Sequence, residues 1–326
     1  MTQTTTIAKI KLGNDGPLVS KLGLGCMRMS PVWGRKGGDE NESIATIQMA
    51  LDNGINFLNT GDFYGSGHNE ILVGKAIKGR RDEAFISVKF GGIFYNNHML
   101  GLDLRPIAIK NFINYSLVRL GIDTIDLYQP CRLDNSVPIE DVIGTIGDLI
   151  KEGKVRYLGV SEITPEQLKK AHSVHPVTAL EIGYSLADRQ IESDLLPTAK
   201  ALGIGVVAFA NTAEGLLTGN MKAPLAAGDY LNHFSRFQGD NLVNNLEKVE
   251  VLKSMAVDKG YSPAQLAIAW VNAQGDHIMP LVSMSRRSRL PENMEAMEIR
   301  FTPDEMKTLN TVFAPGAIAG GTYLQR

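Results

Sequence analysis

The sequence predicts a closed (β/α)8 barrel, with residues 1–326 forming a single domain. Three observations lead there. Eight short apolar runs of strand character recur from one end of the chain to the other. Amphipathic stretches of helical period separate them, as in "DLRPIAIKNFINYSLVRLG", where apolar residues return every three or four positions. Glycines at 54, 79, 121, 153 and 203 follow helical stretches, where a chain turning back into a strand needs them. Eight such units in 326 residues match the size of one barrel, and no linker of different composition divides them.

The elements follow in order. Residues 7–20 read as a short N-terminal hairpin covering the barrel bottom. The strands are "KLGLGCM" (21–27), "INFLNT" (55–60), "AFISVKF" (84–90), "IDLYQP" (125–130), "VRYLGVS" (155–161), "VTALEIGYS" (177–185), "IGVVAFA" (204–210) and "HIMPLVS" (277–283). The helix at "TPEQLKKA" starts with Thr164, Pro165 at the first helical position and Gln167 three residues after the threonine, a capping-box pattern. Two connections exceed ordinary length: "GGIFYNNHMLG" after the third strand and 211–240 after the seventh. Both are read as loops at the C-terminal rim, where barrels carry their active sites. The tail "APGAIAGGTYLQR" is too glycine-rich for a helix, and is read as lying over that rim or disordered. A doubly wound dinucleotide fold is the rival. It needs G-x-G-x-x-G after the first strand, and "GLGCMR" at 23–28 lacks the third glycine.

Composition narrows the function. The chain is 44% hydrophobic and 21% charged with net charge −2, which offers no electrostatic reason for a nucleic-acid or acidic-membrane partner. The longest apolar runs are far short of a membrane span, and "MTQTTTIAKIKLG" lacks the apolar core of a secretory signal. Two cysteines, Cys26 and Cys131, without CxxC or zinc spacing, suit a reducing cytosol; a cytoplasmic protein is expected. The nearest thing to a metal pair, "HSVH" at 172–175, reads as a helix end, so no metal is expected.

The chemistry gathers at the rim. "NTGDFYGSGHNE" carries Tyr64 just after the second strand, and Lys89 closes the third. Adjacent strands bring such side chains within several ångströms. A cation there favours the phenolate and makes the phenol a better proton donor, which suits reduction of a carbonyl. The plain alternative is a loop aromatic beside a solvated strand end. Three serines and three arginines in "LVSMSRRSRLPENMEAM" make an anion site at a helix start, again set against a merely solvated one. A short-chain dehydrogenase is excluded, since no tyrosine has lysine four residues later.

The motifs "NTGDFYGSGHNE", "ISVKFG", "IDLYQP", "GKVRYLGVSE", "GLLTG" and "SRRSRLPEN", in that order, resemble the aldo-keto reductase superfamily across roughly residues 7 to 313. The bacterial members and potassium-channel β subunits look most similar. The resemblance implies a barrel that binds NADPH extended, without a Rossmann fold, and reduces aldehydes, ketones or oxidised sugars. Of the family's Asp-Tyr-Lys-His tetrad, Tyr64 and Lys89 match. The aspartate position holds Asn59 and the histidine position Cys131. Asn59 brings a hydrogen bond but no countercharge, so Lys89 is either less firmly held as a cation or acts on Tyr64 without an offsetting anion. Cys131 orients a carbonyl more poorly than an imidazole; His98, otherwise a solvated loop residue, is a candidate replacement.

For the cofactor, the resemblance implies that Ser285 and Arg289 hold the adenosine 2′-phosphate, with Arg286 a second candidate and Glu292 and Asn293 at the adenine. Ser283 replaces a family glycine there. Ser161, Glu162 and Glu181 fall at positions that meet the nicotinamide carboxamide, Glu162 and Glu181 standing where relatives have amides. Phe209 takes the place of an aromatic stacked on the nicotinamide ring, and Gly215, Leu216 and Thr218 run along the pyrophosphate. Trp33, Phe63, Tyr95, Tyr230 and Phe234 are candidate walls of the substrate pocket. The expected partner is a small carbonyl or alcohol. The competing expectation, prompted by the channel subunits, is an NADPH-binding redox sensor or partner-binding protein with little turnover.

Overall fold

The computed structural model describes residues 7–322 apart from 34, 97 and 135. The last four residues of the glycine-rich tail lie outside the described residues. The chain opens with strands β1 (Lys9–Lys11) and β2 (Leu18–Ser20), paired antiparallel as a hairpin. Eight parallel strands then close a barrel in chain order: β3 (Gly23–Gly25), β4 (Phe57–Gly61), β5 (Phe85–Phe90), β8 (Ile125–Pro130), β9 (Val155–Ser161), β10 (Ala179–Gly183), β11 (Gly205–Phe209) and β12 (Ile278–Ser283). Each lies inside or within one residue of an apolar run read from the sequence.

The hairpin floors the barrel. Leu12 and Val19 are fully buried with Phe57, Phe85, Leu127, Val207 and Met279, a plug of side chains from β4, β5, β8, β11 and β12. Gly13 has φ +76, and a Cβ there would sit 2.9 Å from the carbonyl oxygens of Gly203 and Thr178, so only glycine lets the hairpin approach the starts of β10 and β11.

Helices α1 (Glu40–Asp52), α2 (His68–Ala76), α3 (Pro106–Leu120), α4 (Ile139–Lys151), α5 (Pro165–Val174), α6 (Leu195–Ala201), α7 (Gly239–Lys259) and α8 (Pro263–Asn272) pack outside the strands around the main apolar core. Two more follow, α9 (Leu290–Glu295) and α10 (Pro303–Val312). The capping box at Thr164 is present, and the same device starts α8 at Ser262 and α10 at Thr302. The five helix-ending glycines all have positive φ.

At the rim the structure corrects one reading and decides between the two alternatives of another. "GGIFYNNHMLG" is not a loop: it forms an antiparallel hairpin of β6 (Gly92–Tyr95) and β7 (His98–Leu102). Neither strand has a fully buried position, and β7 is exposed from His98 to Gly101 among its described side chains, so the hairpin lacks the apolar pattern of a packed strand. The described part of the tail is ordered against the 211–240 segment and α7. Asn245 donates to the Ala319 carbonyl (2.9 Å) and accepts from the Ala319 amide (2.8 Å). The Gly321 amide donates to Ser235 Oγ at 2.8 Å.

Candidate active site

The C-terminal ends of the strands surround a cavity of about 860 Å³, within the size range of ligand sites. The backbone around it is unusual. Trp33, Ser66, Glu162, Ala210, Ala213 and Glu214 all have positive φ without being glycine. Such strain is retained where function demands a particular placement. It clusters at the rim.

Tyr64 is delivered by local sequence. Gly61 ends β4, and a Cβ there would press the Tyr64 ring at 3.3 Å and the Phe63 ring at 3.4 Å. After Tyr64 the chain turns through Gly65, Ser66 and Gly67, all at positive φ, directly into α2. The phenol ring is packed edge-on by Phe63 and Trp33, with centroids 4.8 and 6.2 Å away. Lys89 Nζ stands 5.3 Å from the ring centre. Both residues are buried.

Their electrostatics differ from the sequence expectation. Burial pushes the Tyr64 phenol up to about 12, and the Lys89 ammonium only partly opposes it. The hydroxyl therefore keeps its proton throughout the neutral range. Burial also works against the Lys89 ammonium, but Glu181 and Tyr64 outweigh it, holding the amine above its ordinary value.

The loss of a countercharge at position 59 is made good from across the barrel. Lys89 Nζ donates to Asn59 Oδ1 at 2.6 Å and to Glu181 Oε1 at 2.8 Å. Asn59 Nδ2 donates to the other carboxylate oxygen, Glu181 Oε2, at 2.7 Å, and to Ser87 Oγ at 3.2 Å. Gln129 Nε2 donates to the same Oε2 and, at 3.2 Å, to Ser87 Oγ. Lys89 is thus firmly held as a cation. Ser87 and Gln129 were not singled out from sequence, although Ser87 lies two residues before Lys89 on the same face of β5.

Cys131 lines the cavity close to Asp62 and Lys89. Burial first, then Asp62, pushes its thiol up to about 12, so it is a neutral, weak donor. The remaining lining brings together Ser161, Glu162, Glu181, Phe209, Gly215, Thr218, Ser283, Arg289, Glu292 and Asn293, with Trp33, Phe63 and Tyr230 among the aromatics. Glu162 Oε1 accepts from the Gly183 amide at 3.0 Å. Arg289 donates to Glu292 at 3.0 Å, and Ser262 donates to the same carboxyl group at 2.7 Å.

Six expected residues stand apart from the lining. Leu216 is buried in the core. Tyr95 and His98 are exposed on the β6–β7 hairpin. Ser285 is half-buried near Gly38, Arg286 is exposed, and Phe234 packs edge-on against Tyr230. Among the lining residues not foreseen are Met27, Arg28, Arg35, Arg132, Asn211 and Glu214. Arg35 donates to Glu214 at 3.2 Å, joining the segment after β3 to that after β11, and stacks over Tyr230 at 4.9 Å.

The fold is thus a closed (β/α)8 barrel with Tyr64 and Lys89 buried together at its C-terminal mouth. The sequence pattern of the Aldo/keto reductase family matches residues 21–313, and the chain belongs to that family, whose members use a nicotinamide cofactor. Among solved structures it is similar to the glycerol dehydrogenase AKR11B4 of Gluconobacter oxydans, at 28% identity and TM-score 0.86 over 99% of each chain. It is also similar to the aldo-keto reductase AKR11C1 of Bacillus halodurans, at 29% identity and TM-score 0.77, covering 98% of this chain and 99% of that one. A third is the thermostable aldo-keto reductase Tm1743 in complex with the inhibitor epalrestat, at 25% identity and TM-score 0.74, covering 94% and 100%. Among the described residues no helix is long and apolar enough to cross a membrane, and no three His, Cys, Asp or Glu side chains gather as metal ligands.

Proposed function

We propose that the protein reduces a small aldehyde, ketone or oxidised sugar with NADPH, with Tyr64 as the proton donor. The observation that carries this reading is the buried Tyr64, still protonated, with the Lys89 ammonium 5.3 Å from its ring centre at the wall of one cavity. A dinucleotide fits the cavity's other residues. One wall is a single stretch of chain, Ala210 to Asn220, and a Cβ on Gly215 would meet only Met221 at 3.9 Å, so its bare backbone faces open space. Arg289 and Asn293 also line the cavity, and a guanidinium suits the 2′-phosphate that distinguishes NADPH from NADH.

When bound, the cofactor supplies a hydride. The chain's own residues do the rest. Ser161 is buried at the end of β9 where a carboxamide would be held, and Phe209 supplies an aromatic face. The Tyr64 hydroxyl gives its proton to the carbonyl oxygen as negative charge develops there. An alkoxide is far more basic than a phenolate, so a phenol with a raised pKa still donates. Lys89 stabilises the phenolate left behind. Cys131, as a neutral thiol, adds at most a weak hydrogen bond and leaves the pocket more apolar than an imidazole would. The similarity to a glycerol dehydrogenase supports a small polyol-derived carbonyl as substrate.

The sensor reading has one observation in its favour, since no histidine lines the described cavity. A panel of small aldehydes, ketones and sugars separates the two. NADPH oxidation should proceed with at least one of them, and Tyr64→Phe should lower kcat/KM by about 100-fold or more, the scale of a lost general acid. Tight NADPH binding with no turnover beyond that control would favour the sensor.

A further inference from the structure

From the lysine's surroundings we infer that Glu181 is the positioning residue of the catalytic pair: its carboxylate reaches across the barrel to keep Lys89 charged and aimed at Tyr64, while Asn59 serves as a bridging amide. This rests on the carbonyl-reductase reading of the site.

The first support is burial. Lys89 is 7% exposed and Glu181 2%, and a buried ammonium is stable only beside an anion. The charged and titratable groups that face Lys89 are Glu181 from β10, Tyr64 after β4, Cys26 after β3 and Cys131 after β8. Tyr64, Cys26 and Cys131 are all protonated at neutral pH. Glu181 is therefore the one formal negative charge among them.

The second support is the orientation of Asn59. An ammonium only donates and a carboxylate only accepts, so the amide has one way round, oxygen to Lys89 and nitrogen to Glu181. A carboxylate at position 59 would set two anionic oxygens about 2.7 Å apart where Nδ2 now meets Oε2. The pair of residues therefore carries one carboxylate and one amide, and the arrangement tolerates either distribution of the two better than two carboxylates or two amides. The third support is topology. In the closed barrel β10 borders β9 and β11, not β4 or β5, so the Glu181 side chain spans the lumen to make these contacts. With Lys89, Asn59 and Gln129 all donating to it, the carboxylate is committed to the lysine rather than free for a ligand amide.

The test is a charge-exchange cycle of wild type, Glu181→Gln, Asn59→Asp and the double variant. Each is read by kcat and KM across pH and, without substrate, by thermal unfolding. Glu181→Gln should lower kcat by at least about tenfold with a smaller effect on KM, and should move the alkaline limb of its pH profile to lower pH, since an amine deprived of its anion loses its proton sooner. Asn59→Asp alone should also lower kcat. Combining the two should raise kcat above either single variant and restore most of the alkaline limb. A lost packing contact would not be rescued in this way. The proposal is overturned if Glu181→Gln keeps the wild-type pH profile, or if Asn59→Asp fails to improve the Glu181→Gln enzyme. Should Glu181→Gln not fold, the double variant decides: folded and active supports the proposal, unfolded overturns it. If wild type turns over no carbonyl, the functional reading fails by itself. The unfolding cycle then still reads whether positions 59 and 181 are coupled, and additive melting changes would overturn the proposal.

Discussion

Residue 131 shows how far a single side chain is governed by its surroundings. A thiol in open solution is partly ionised just above neutrality, but burial holds both Cys131 and Cys26 up to about 12 from an ordinary value of 9.0. A folded-state value raised in this way favours the fold below pH 9.0, and that contribution is lost as pH climbs towards 12. Iodoacetamide at pH 8 should therefore leave both thiols unmodified in the native protein, with alkylation appearing in the mass spectrum only on unfolding. Modification of Cys131 at pH 8 in the folded protein would mean an ionised, accessible thiol. At this scale the sequence was informative about which residues matter and uninformative about their partners. Tyr64 and Lys89 stand out because they close neighbouring strands. The Glu181 contact to Asn59 spans 122 positions and crosses the lumen, so no local period announces it.

The strands were legible because most of their positions are buried and apolar; β5 and β8 are buried at every position, although each carries two polar side chains, Ser87 and Lys89 in one and Asp126 and Gln129 in the other. The β6–β7 hairpin was not, since exposure removes that pattern. Its one signal in the sequence is "YNNH", where Tyr95 pairs with His98 across the hairpin and Asn96 has φ 48. The tail is a second case. Its glycines look like disorder, yet one of them is a fitted contact: a Cβ on Gly320, already at φ +76, would come within 2.5 Å of the Arg236 amide nitrogen. Gly320→Ala should release the described tail from Ser235 and Asn245. Amide hydrogen exchange at Ala319 and Gly321 should speed up by at least about tenfold, corresponding to about 1.4 kcal/mol of lost local protection. Unchanged exchange there would contradict the close approach.

Across the whole molecule, a floor of apolar side chains and a mouth of polar ones divide the labour. The floor plug of Leu12, Val19, Phe57, Phe85 and Met279 fixes the barrel. At the mouth, a second buried ion pair ties the rim segments together. Arg236 donates to both oxygens of Asp188 at 2.8 and 2.7 Å, with each side chain 1% exposed. It links the segment after β10 to that after β11, on which the tail also rests. Arg236→Met keeps the bulk but strands the Asp188 carboxylate. It should cost about 3–5 kcal/mol in denaturant unfolding. A loss under about 1 kcal/mol would show that water or another cation replaces the guanidinium.

The central claim, that Tyr64 and Lys89 serve hydride transfer to a carbonyl, is tested most directly by isotope transfer. NADPH deuterated at the nicotinamide C4 position that is transferred should be incubated with a reactive carbonyl from the panel. One deuterium on the carbinol carbon of the product, falling to background in the Tyr64→Phe variant, is the predicted result. Product without deuterium, or equal labelling by the variant, would contradict the account.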